Sequence, residues 1–276
     1  MSNGEITICT AFFDLGRGDL PAMKHGRILP HHQHRSTETY FEFFKNLAKI
    51  NNPMVIFTSP DLVDRIRNIR IAAGHGDKTE VIGMTSYLPP NLEHYKEKIE
   101  KVMNDPDFIK NVVNPQLIEY WHSDYVLVNI LKSYYVSYAS ESGYIKTDLA
   151  AWIDFGYVRT LEALPKNLTW RYPFDSEKIH LFNMRELDGN LNRTLADIVY
   201  TGDVYIQGCH IVGGVKAWAK LFQLMLINLD LALSMNLSDD DQTFLMMSYM
   251  SAPNYFELHY NSPDDWFRIF KDYNNA

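Results

Sequence analysis

Short apolar runs alternate with amphipathic stretches along most of this chain, and this pattern predicts alternating strands and helices. Residues 6–13 are rich in β-branched and aromatic side chains and predict the first strand. Residues 37–49 instead place aromatic and leucine side chains at helical spacing. The other predicted strands cover residues 54–58, 79–84, 149–153, 178–184 and 204–211. The other predicted helices cover residues 61–71, 91–103, 114–139 with a break near Ser123, 215–233 and 238–250.

Strands that alternate with helices predict an α/β fold with a mostly parallel central sheet and helices on both faces. The chain contains no internal repeat, no low-complexity tract and no interdomain linker. We therefore expect residues 1–276 to form a single domain. The polar segment 14–36 is long for a loop in a compact domain, and loops of this kind are often functional.

The composition is that of a globular protein with a full core, because 46% of the residues are hydrophobic and 22% are charged. A net charge of −8 argues against a nucleic-acid partner, which requires clustered lysine and arginine. It does not exclude a nucleotide, whose phosphates a metal ion can neutralise. The two cysteines, Cys9 and Cys209, lie in apolar runs and predict buried thiols rather than a disulfide framework.

The N-terminus lacks a basic region followed by an apolar one, so no signal peptide is predicted. No apolar segment reaches the roughly 20 residues that a membrane helix requires. We expect a cytoplasmic protein with at most peripheral contact with the inner face of the cytoplasmic membrane. The oligomeric state is not predicted.

Asp154 ends an apolar run and is followed by Phe155 and Gly156. A carboxylate at the end of a buried strand must be hydrogen-bonded, paired or bound to metal. In α/β proteins this end of the strands is where ligands bind. Two interpretations remain open: Asp154 is a ligand for Mg²⁺ or Mn²⁺, or it caps the turn before Gly156.

Three successive acids, Asp239 to Asp241, precede Gln242 at a predicted helix start. Ser238 and Asp241 have the spacing of a capping box, and acids in a first turn also complement the helix dipole. The alternative is chemical: Asp241 is a candidate general base, or a partner for sugar hydroxyls.

Several further residues have a structural and a functional interpretation. Gly213 and Gly214 predict either a plain strand-to-helix turn or a helix start whose N–H groups bind an anion. Lys132 interrupts an apolar helix and either extends to solvent or reaches a phosphate. Arg17, in the first long loop, is a second candidate for a phosphate contact. The histidines of residues 31–34 predict a solvated loop, since they lack the spacing of a zinc motif.

Two segments together resemble a known family. Residues 10–18 (TAFFDLGRG) look like the opening of HtrL/YibB-type proteins, which are encoded near lipopolysaccharide-core genes. Residues 152–156 (WIDFG) resemble the central motif of the same family. The resemblance covers most of the chain, and the family pattern is similar to glycosyltransferases of the GT-A fold. It implies a single GT-A-like domain with an Asp-x-Asp motif that binds Mn²⁺ or Mg²⁺ and a nucleotide diphosphate.

The resemblance carries over residue by residue. Asp154 matches the first aspartate of Asp-x-Asp, but Gly156 stands where the second is expected. The metal shell must then be completed elsewhere, and His259 is the late histidine that such enzymes often supply. Asp241 and Gln242 match an Asp-Gln helix start as catalytic residues. The resemblance also implies donor binding by Thr10, Ala11, Phe12, Asp61, Gly208, Gly213 and Gly214. Arg17 and Lys132, the candidate phosphate contacts, complete the expected donor site.

The resemblance implies transfer of a sugar from a nucleotide donor, expected to be a UDP-sugar, to a hydroxyl of a surface glycan such as lipopolysaccharide or lipooligosaccharide. If the reaction inverts, Asp241 is the base; if it retains, Asp241 and Gln242 contact the donor sugar. One alternative is a non-catalytic protein that binds nucleotide sugar or glycan, which the missing second aspartate favours. Another is a metal-dependent phosphohydrolase, which usually requires more carboxylates or histidines around its metal.

Overall fold

The structure, a computed structural model, describes residues 4–187, 193–261 and 266–275. Its strands are β1 (Ile6–Phe12), β2 (Met23–Lys24), β3 (Arg27–Ile28), β4 (Met54–Thr58), β5 (Thr79–Gly83), β6 (Leu149–Ile153), β7 (Ile179–Asn183), β8 (His210–Gly214) and β9 (Phe256–Tyr260). Its helices are α1 (Thr37–Leu47), α2 (Val63–Ala72), α3 (Glu93–Met103), α4 (Pro106–Asn111), α5 (Ser123–Ile130), α6 (Lys132–Glu141), α7 (Leu195–Thr201), α8 (Trp218–Ser234), α9 (Asp241–Ser251) and α10 (Ile269–Asp272).

The larger sheet has seven strands in the order β5-β4-β1-β6-β8-β7-β9. Strand β8 runs antiparallel to both of its neighbours, and every other pair in this sheet is parallel. From β1 the chain first adds β4 and β5 on one side and then β6 on the other. The order therefore reverses between β1 and β6, and such a switch point opens a crevice at the carboxyl ends of the strands.

Two apolar layers cover the faces of this sheet, because side chains alternate along each strand. Trp152 of β6 points into one layer, which includes residues of α3, α5, α6, α8 and α9. Ile153 points into the other, which receives Phe41 and Phe44 of α1 and Ile66 of α2. The predicted α/β class, a mostly parallel sheet with helices on both faces, is confirmed. Within the described ranges, no helix has the length and hydropathy needed to cross a bilayer.

Three local predictions are wrong. The strand expected at 204–211 is instead β8, so Gly213 and Gly214 lie inside a strand and do not open a helix. The stretch 114–139, expected to be helical with a break near Ser123, forms α5, which begins at Ser123, and α6, which follows after a second break at Leu131; before Ser123 it contains a short 3-10 helix at Ile118–Tyr120. The last long helix begins at Asp241 rather than Ser238, and its N-cap is Asp240. The sequence pattern also gave no prediction for the short helix α7.

Candidate functional site

A cavity of about 260 Å³ lies at the switch point of the sheet, beyond the carboxyl ends of β1 and β6. Residues 11–15 line it from β1, and residues 154–157 line it from β6. Helices α5, α6 and α9 contribute further lining residues from one side. These are Tyr125, Val128, Asn129, Lys132, Asp241 and Gln242, joined by Asp240 just before α9.

One of the residues that line the cavity is a buried lysine, Lys132. The ammonium nitrogen of Lys132 lies 3.1 Å from Asp154 Oδ1 and 2.9 Å from Asp241 Oδ2. It also donates a hydrogen bond of 3.0 Å to the carbonyl oxygen of Gly208. Burial alone would lower the pKa of Lys132, but the two carboxylates outweigh it and raise that pKa well above its usual range. The lysine is therefore a fixed cation, and it holds three segments of the chain together.

The local sequence explains how Lys132 reaches this position. The break at Leu131 ends α5, and Lys132 is the first residue of α6. Gly208 permits the close approach, because a Cβ atom there would lie only 2.3 Å from Asp241 Oδ2. Asp241 is consequently packed behind the Gly208 backbone, and its side chain is only 3% exposed.

Asp154 is held by its neighbours but still faces the cavity. The indole N–H of Trp152 donates to Asp154 Oδ1 over 2.7 Å, and the backbone N–H of Asp154 donates to the carbonyl of Cys209 over 2.9 Å. The side chain of Asp154 is 37% exposed, far more than that of Asp241. Among the residues described, its Oδ2 atom accepts no hydrogen bond. That oxygen is available to a ligand or a cation.

The three acids at the start of α9, Asp239 to Asp241, make different contacts. Asp240 caps the helix by accepting a 3.1 Å hydrogen bond from the N–H of Gln242. Asp239 accepts a 2.7 Å hydrogen bond from the hydroxyl of Thr243. Burial, with the charge of Glu119 adding to it, raises the pKa of Asp239 to about 7. Only Asp241 of the three forms an ion pair with Lys132.

The rim of the cavity carries three arginines, Arg17, Arg35 and Arg159. The guanidinium carbon of Arg17 lies 5.2 Å from the ring centre of Tyr125, and its Nη2 donates to the carbonyl of Gln33 over 3.0 Å. The guanidinium carbon of Arg159 lies 4.3 Å from the ring centre of Phe267. Burial and then the charge of Arg35 lower the pKa of Arg159. Within the described ranges neither Arg35 nor Arg159 forms an ion pair.

Of the residues expected in the site, the cavity collects Ala11, Phe12, Arg17, Lys132, Asp154, Gly156, Gly208, Asp241 and Gln242. Gly156 lies against Tyr40, because a Cβ there would be 3.0 Å from Tyr40 Cδ1. Sequence reasoning missed Arg35 and Arg159, which lie in loops that carry no motif.

The structure does not bring the remaining candidates to the cavity. Thr10 is fully buried within β1, and Asp61 is exposed in a short 3-10 helix that follows β4. Gly213 and Gly214 pair with Ala150 and Leu149, toward the beginning of β6 and thus away from Asp154. A Cβ at Gly214 would lie 1.6 Å from the carbonyl oxygen of Ser176, so this glycine serves close backbone packing.

His259 lies apart from Asp154. It is on the edge strand β9, which β8 and β7 separate from β6, a span of roughly 14 Å at about 4.8 Å per strand. Its ring packs on Phe182 and Tyr273, on the opposite face of the sheet from Lys132. The expected pairing of His259 with Asp154 around one metal is therefore not the arrangement of this structure.

Two carboxylates that line the cavity are candidate ligands for a divalent cation. Asp154 Oδ2 and Asp240 Oδ2 accept no hydrogen bond in the part of the chain that is described. Both residues line the cavity, and hard oxygen ligands suit Mg²⁺ or Mn²⁺. Gly156 adds none, and Asp241 is engaged by Lys132. Asp154 and Asp240 are thus the residues that would hold such an ion.

Fold and cavity together define an α/β protein with a charged, ligand-sized crevice at its switch point. A family model described as "Bacterial protein of unknown function (HtrL_YibB)" matches residues 4–275. Protein HtrL of Escherichia coli (strain K12) is 38% identical over 268 residues, which cover 96% of this chain and 91% of the relative. The chain belongs to the HtrL/YibB family, and the resemblance seen in its sequence is confirmed.

A structural similarity also links the chain to the crystal structure of mouse xyloside xylosyltransferase 1 in its apo form. The two chains are 10% identical, with a TM-score of 0.40. The match covers 92% of this chain and 85% of the mouse chain.

Proposed function

We propose that this protein is a glycosyltransferase that uses a nucleotide-sugar donor, a UDP-sugar, and a hydroxyl acceptor on a surface glycan such as lipopolysaccharide or lipooligosaccharide. One observation carries the proposal. A fixed ammonium group joins two carboxylates from different elements at the switch-point crevice, beneath a rim of three arginines. The motif resemblance to GT-A glycosyltransferases supports the same reaction class.

The charges of the cavity suit a donor diphosphate. Guanidinium groups bind phosphate oxygens through paired N–H donors, and Arg35 and Arg159 have no acidic partner among the described residues. When the bond between sugar and diphosphate breaks, negative charge grows on the leaving group, and cations placed in advance stabilise it. Arg17, Arg35 and Arg159 are the groups that supply this stabilisation.

A divalent ion would be held by Asp154 and Asp240, and when bound it would neutralise the diphosphate as a Lewis acid. The residues of this chain prepare that position. Trp152 fixes one oxygen of Asp154, so the other oxygen keeps a constant direction toward the cavity. The ammonium nitrogen of Lys132 lies 3.1 Å from Oδ1 of the same carboxylate and further restricts its position.

Asp241 acts as a positioning residue in this proposal. Its side chain is 3% exposed and contacts Lys132, so it lies too deep to remove a proton from a large acceptor. It instead fixes the lysine and the Gly208 backbone. Gln242, the next residue in the chain, also lines the cavity and is half-buried. We therefore assign its side-chain amide as the hydrogen-bond partner of a sugar hydroxyl.

The test is a screen of nucleotide sugars for release of free nucleotide, with and without Mn²⁺. We expect slow hydrolysis of one donor that EDTA abolishes, and a faster reaction with a glycan extract as acceptor. Binding without any turnover would overturn the proposal in favour of a non-catalytic binding protein. Cleavage of simple phosphate esters with equal efficiency would instead favour a phosphohydrolase.

A further inference from the structure

Three possible metal ligands meet on the face of the sheet opposite Lys132. They are His180 of β7 and Glu257 and His259 of β9, and their nearest ligand atoms all lie within 4.8 Å of one another. The strand pairing explains the cluster. His180 is opposite Glu257 in the parallel register, and His259 is two residues further along β9, so it points to the same face.

The hydrogen bonds fix which atom of His180 is available. Its Nε2 lies 2.9 Å from the carbonyl oxygen of Asp175, which can only accept a hydrogen bond. Nε2 therefore carries the hydrogen, and in the neutral ring Nδ1 is left with a lone pair. A metal-bound histidine characteristically donates its second N–H to a carbonyl in this way. The lone pair of Nδ1 points to His259, whose Nε2 is 2.9 Å away.

We propose that His180 Nδ1, His259 Nε2 and the carboxylate of Glu257 form a binding site for a borderline divalent cation such as Zn²⁺. Two imidazoles and one carboxylate are a ligand set that zinc takes with a fourth position open to water. In the absence of metal, the Nε2–H of His259 donates to His180 Nδ1. On binding, that proton moves to Nδ1 of the His259 ring, so both ligands stay neutral.

Only a small adjustment is needed. Two nitrogens bound to one tetrahedral zinc at ~2.1 Å lie about 3.4 Å apart, slightly more than the 2.9 Å between these rings. His180 is buried and anchored by Asp175, whereas His259 is partly exposed on an edge strand. The side chain of Glu257 is 44% exposed and lies 3.8 Å from His180 Nδ1. The two residues of β9 are therefore the ones that move.

Bound metal would join the edge strand β9 to β7 and to the loop around Asp175. Phe174, Phe182 and Tyr273 surround the two histidines and limit access of water to their side of the site. Because none of His180, Glu257 and His259 lines the cavity, this proposal is independent of the proposed function.

The experiment uses the full chain without a histidine tag, stripped with EDTA and dialysed. Zn²⁺ is titrated by calorimetry, and Co²⁺ is added as a spectroscopic probe of tetrahedral coordination. We expect one tight site, and Glu257→Gln and His259→Gln should each weaken it at least about tenfold, because losing even an outer-shell partner costs that much. The control His94→Gln removes an exposed histidine outside the cluster and should leave the site intact.

Circular dichroism of each variant establishes that it is folded, and Glu257→Gln changes only a half-exposed side chain. The proposal is overturned if no stoichiometric binding occurs at micromolar Zn²⁺. It is equally overturned if Glu257→Gln and His259→Gln bind Zn²⁺ as tightly as the parent protein, since the ion would then occupy other histidines such as His31 and His32.

Discussion

The ammonium nitrogen of Lys132 lies 3.1 Å from Asp154 Oδ1, which joins the first residue of α6 to the residue that follows β6. Asp154 is thus paired with a cation that the chain itself supplies. The same nitrogen contacts Asp241, so a single ammonium group lies between two acids that would otherwise repel each other. Loss of this lysine would leave both acids without their cationic partner.

Lys132→Met should lower the free energy of unfolding by about 3–5 kcal/mol, because it leaves a buried carboxylate without its partner. Methionine keeps most of the side-chain volume, so the loss reports charge rather than packing. Urea unfolding measures it. The double variant Lys132→Met/Asp241→Asn should recover at least half of the loss. Equal stability of Lys132→Met and the parent protein would contradict the ion pair.

Gly208→Ala should abolish nucleotide-sugar binding, because the new methyl group would lie 2.3 Å from Asp241 Oδ2 and displace that carboxylate from Lys132. The matched control is Gly213→Ala, whose methyl group would meet the end of Ile179 at 2.4 Å, outside the cavity. Both variants should lose stability in thermal melts. Only Gly208→Ala should lose donor binding by calorimetry; a common effect on binding would refute the proposed role of Gly208.

The free energy of unfolding should fall as the pH rises from about 4.5 to about 8. In this range Glu119 is protonated in the folded chain and ionised in the unfolded chain. Burial, and then the charge of Asp240, raise the pKa of Glu119 from 4.5 to about 8. Between these values the folded protein holds a proton that the unfolded chain has lost, so deprotonation favours unfolding. Urea unfolding at pH 5.5 and pH 8 should differ by at least about 1 kcal/mol. Glu119→Gln should reduce that difference, and an unchanged slope would contradict the assignment.

Arg35→Ala and Arg159→Ala should each weaken binding of UDP, by roughly tenfold for a contact worth about 1.4 kcal/mol. Their effect should shrink at high salt, since part of it is electrostatic. Arg67→Ala is the control, because Arg67 is exposed and pairs with Asp64 on the surface of α2. Equal UDP affinity in all three variants would contradict the proposed binding of phosphate by Arg35 and Arg159.

The sequence predicted the strands of the parallel half of the sheet well, because each is a short apolar run bounded by turn residues. Asp154 and Lys132 were found for a similar reason, as charges that interrupt apolar patterns. The errors have specific causes. Two successive glycines usually signal a turn, but Gly214 serves the close approach of the Ser176 carbonyl to β8. Ser238 and Asp241 have the spacing of a capping box, yet the side chain of Asp240 is the N-cap of this helix.

Long-range geometry accounts for the rest. Arg35 and Arg159 reach one rim from distant loops, and a lone arginine in a loop carries no signal in a single sequence. His259 was associated with Asp154, but three strand spacings and the sheet itself separate them. The proximity of His180 to His259 depends on the register of β7 and β9, which a single sequence does not specify.

The most direct test of the central claim is a calorimetric titration of UDP into the parent protein and Asp154→Asn, each with Mn²⁺ and with EDTA. Asparagine keeps the shape of the side chain but removes the charge that would hold a cation. We predict that UDP binds the parent protein tightly only with Mn²⁺, and that Asp154→Asn loses at least about tenfold in affinity, which corresponds to about 1.4 kcal/mol. Equal UDP affinity in both proteins, with and without Mn²⁺, would contradict it.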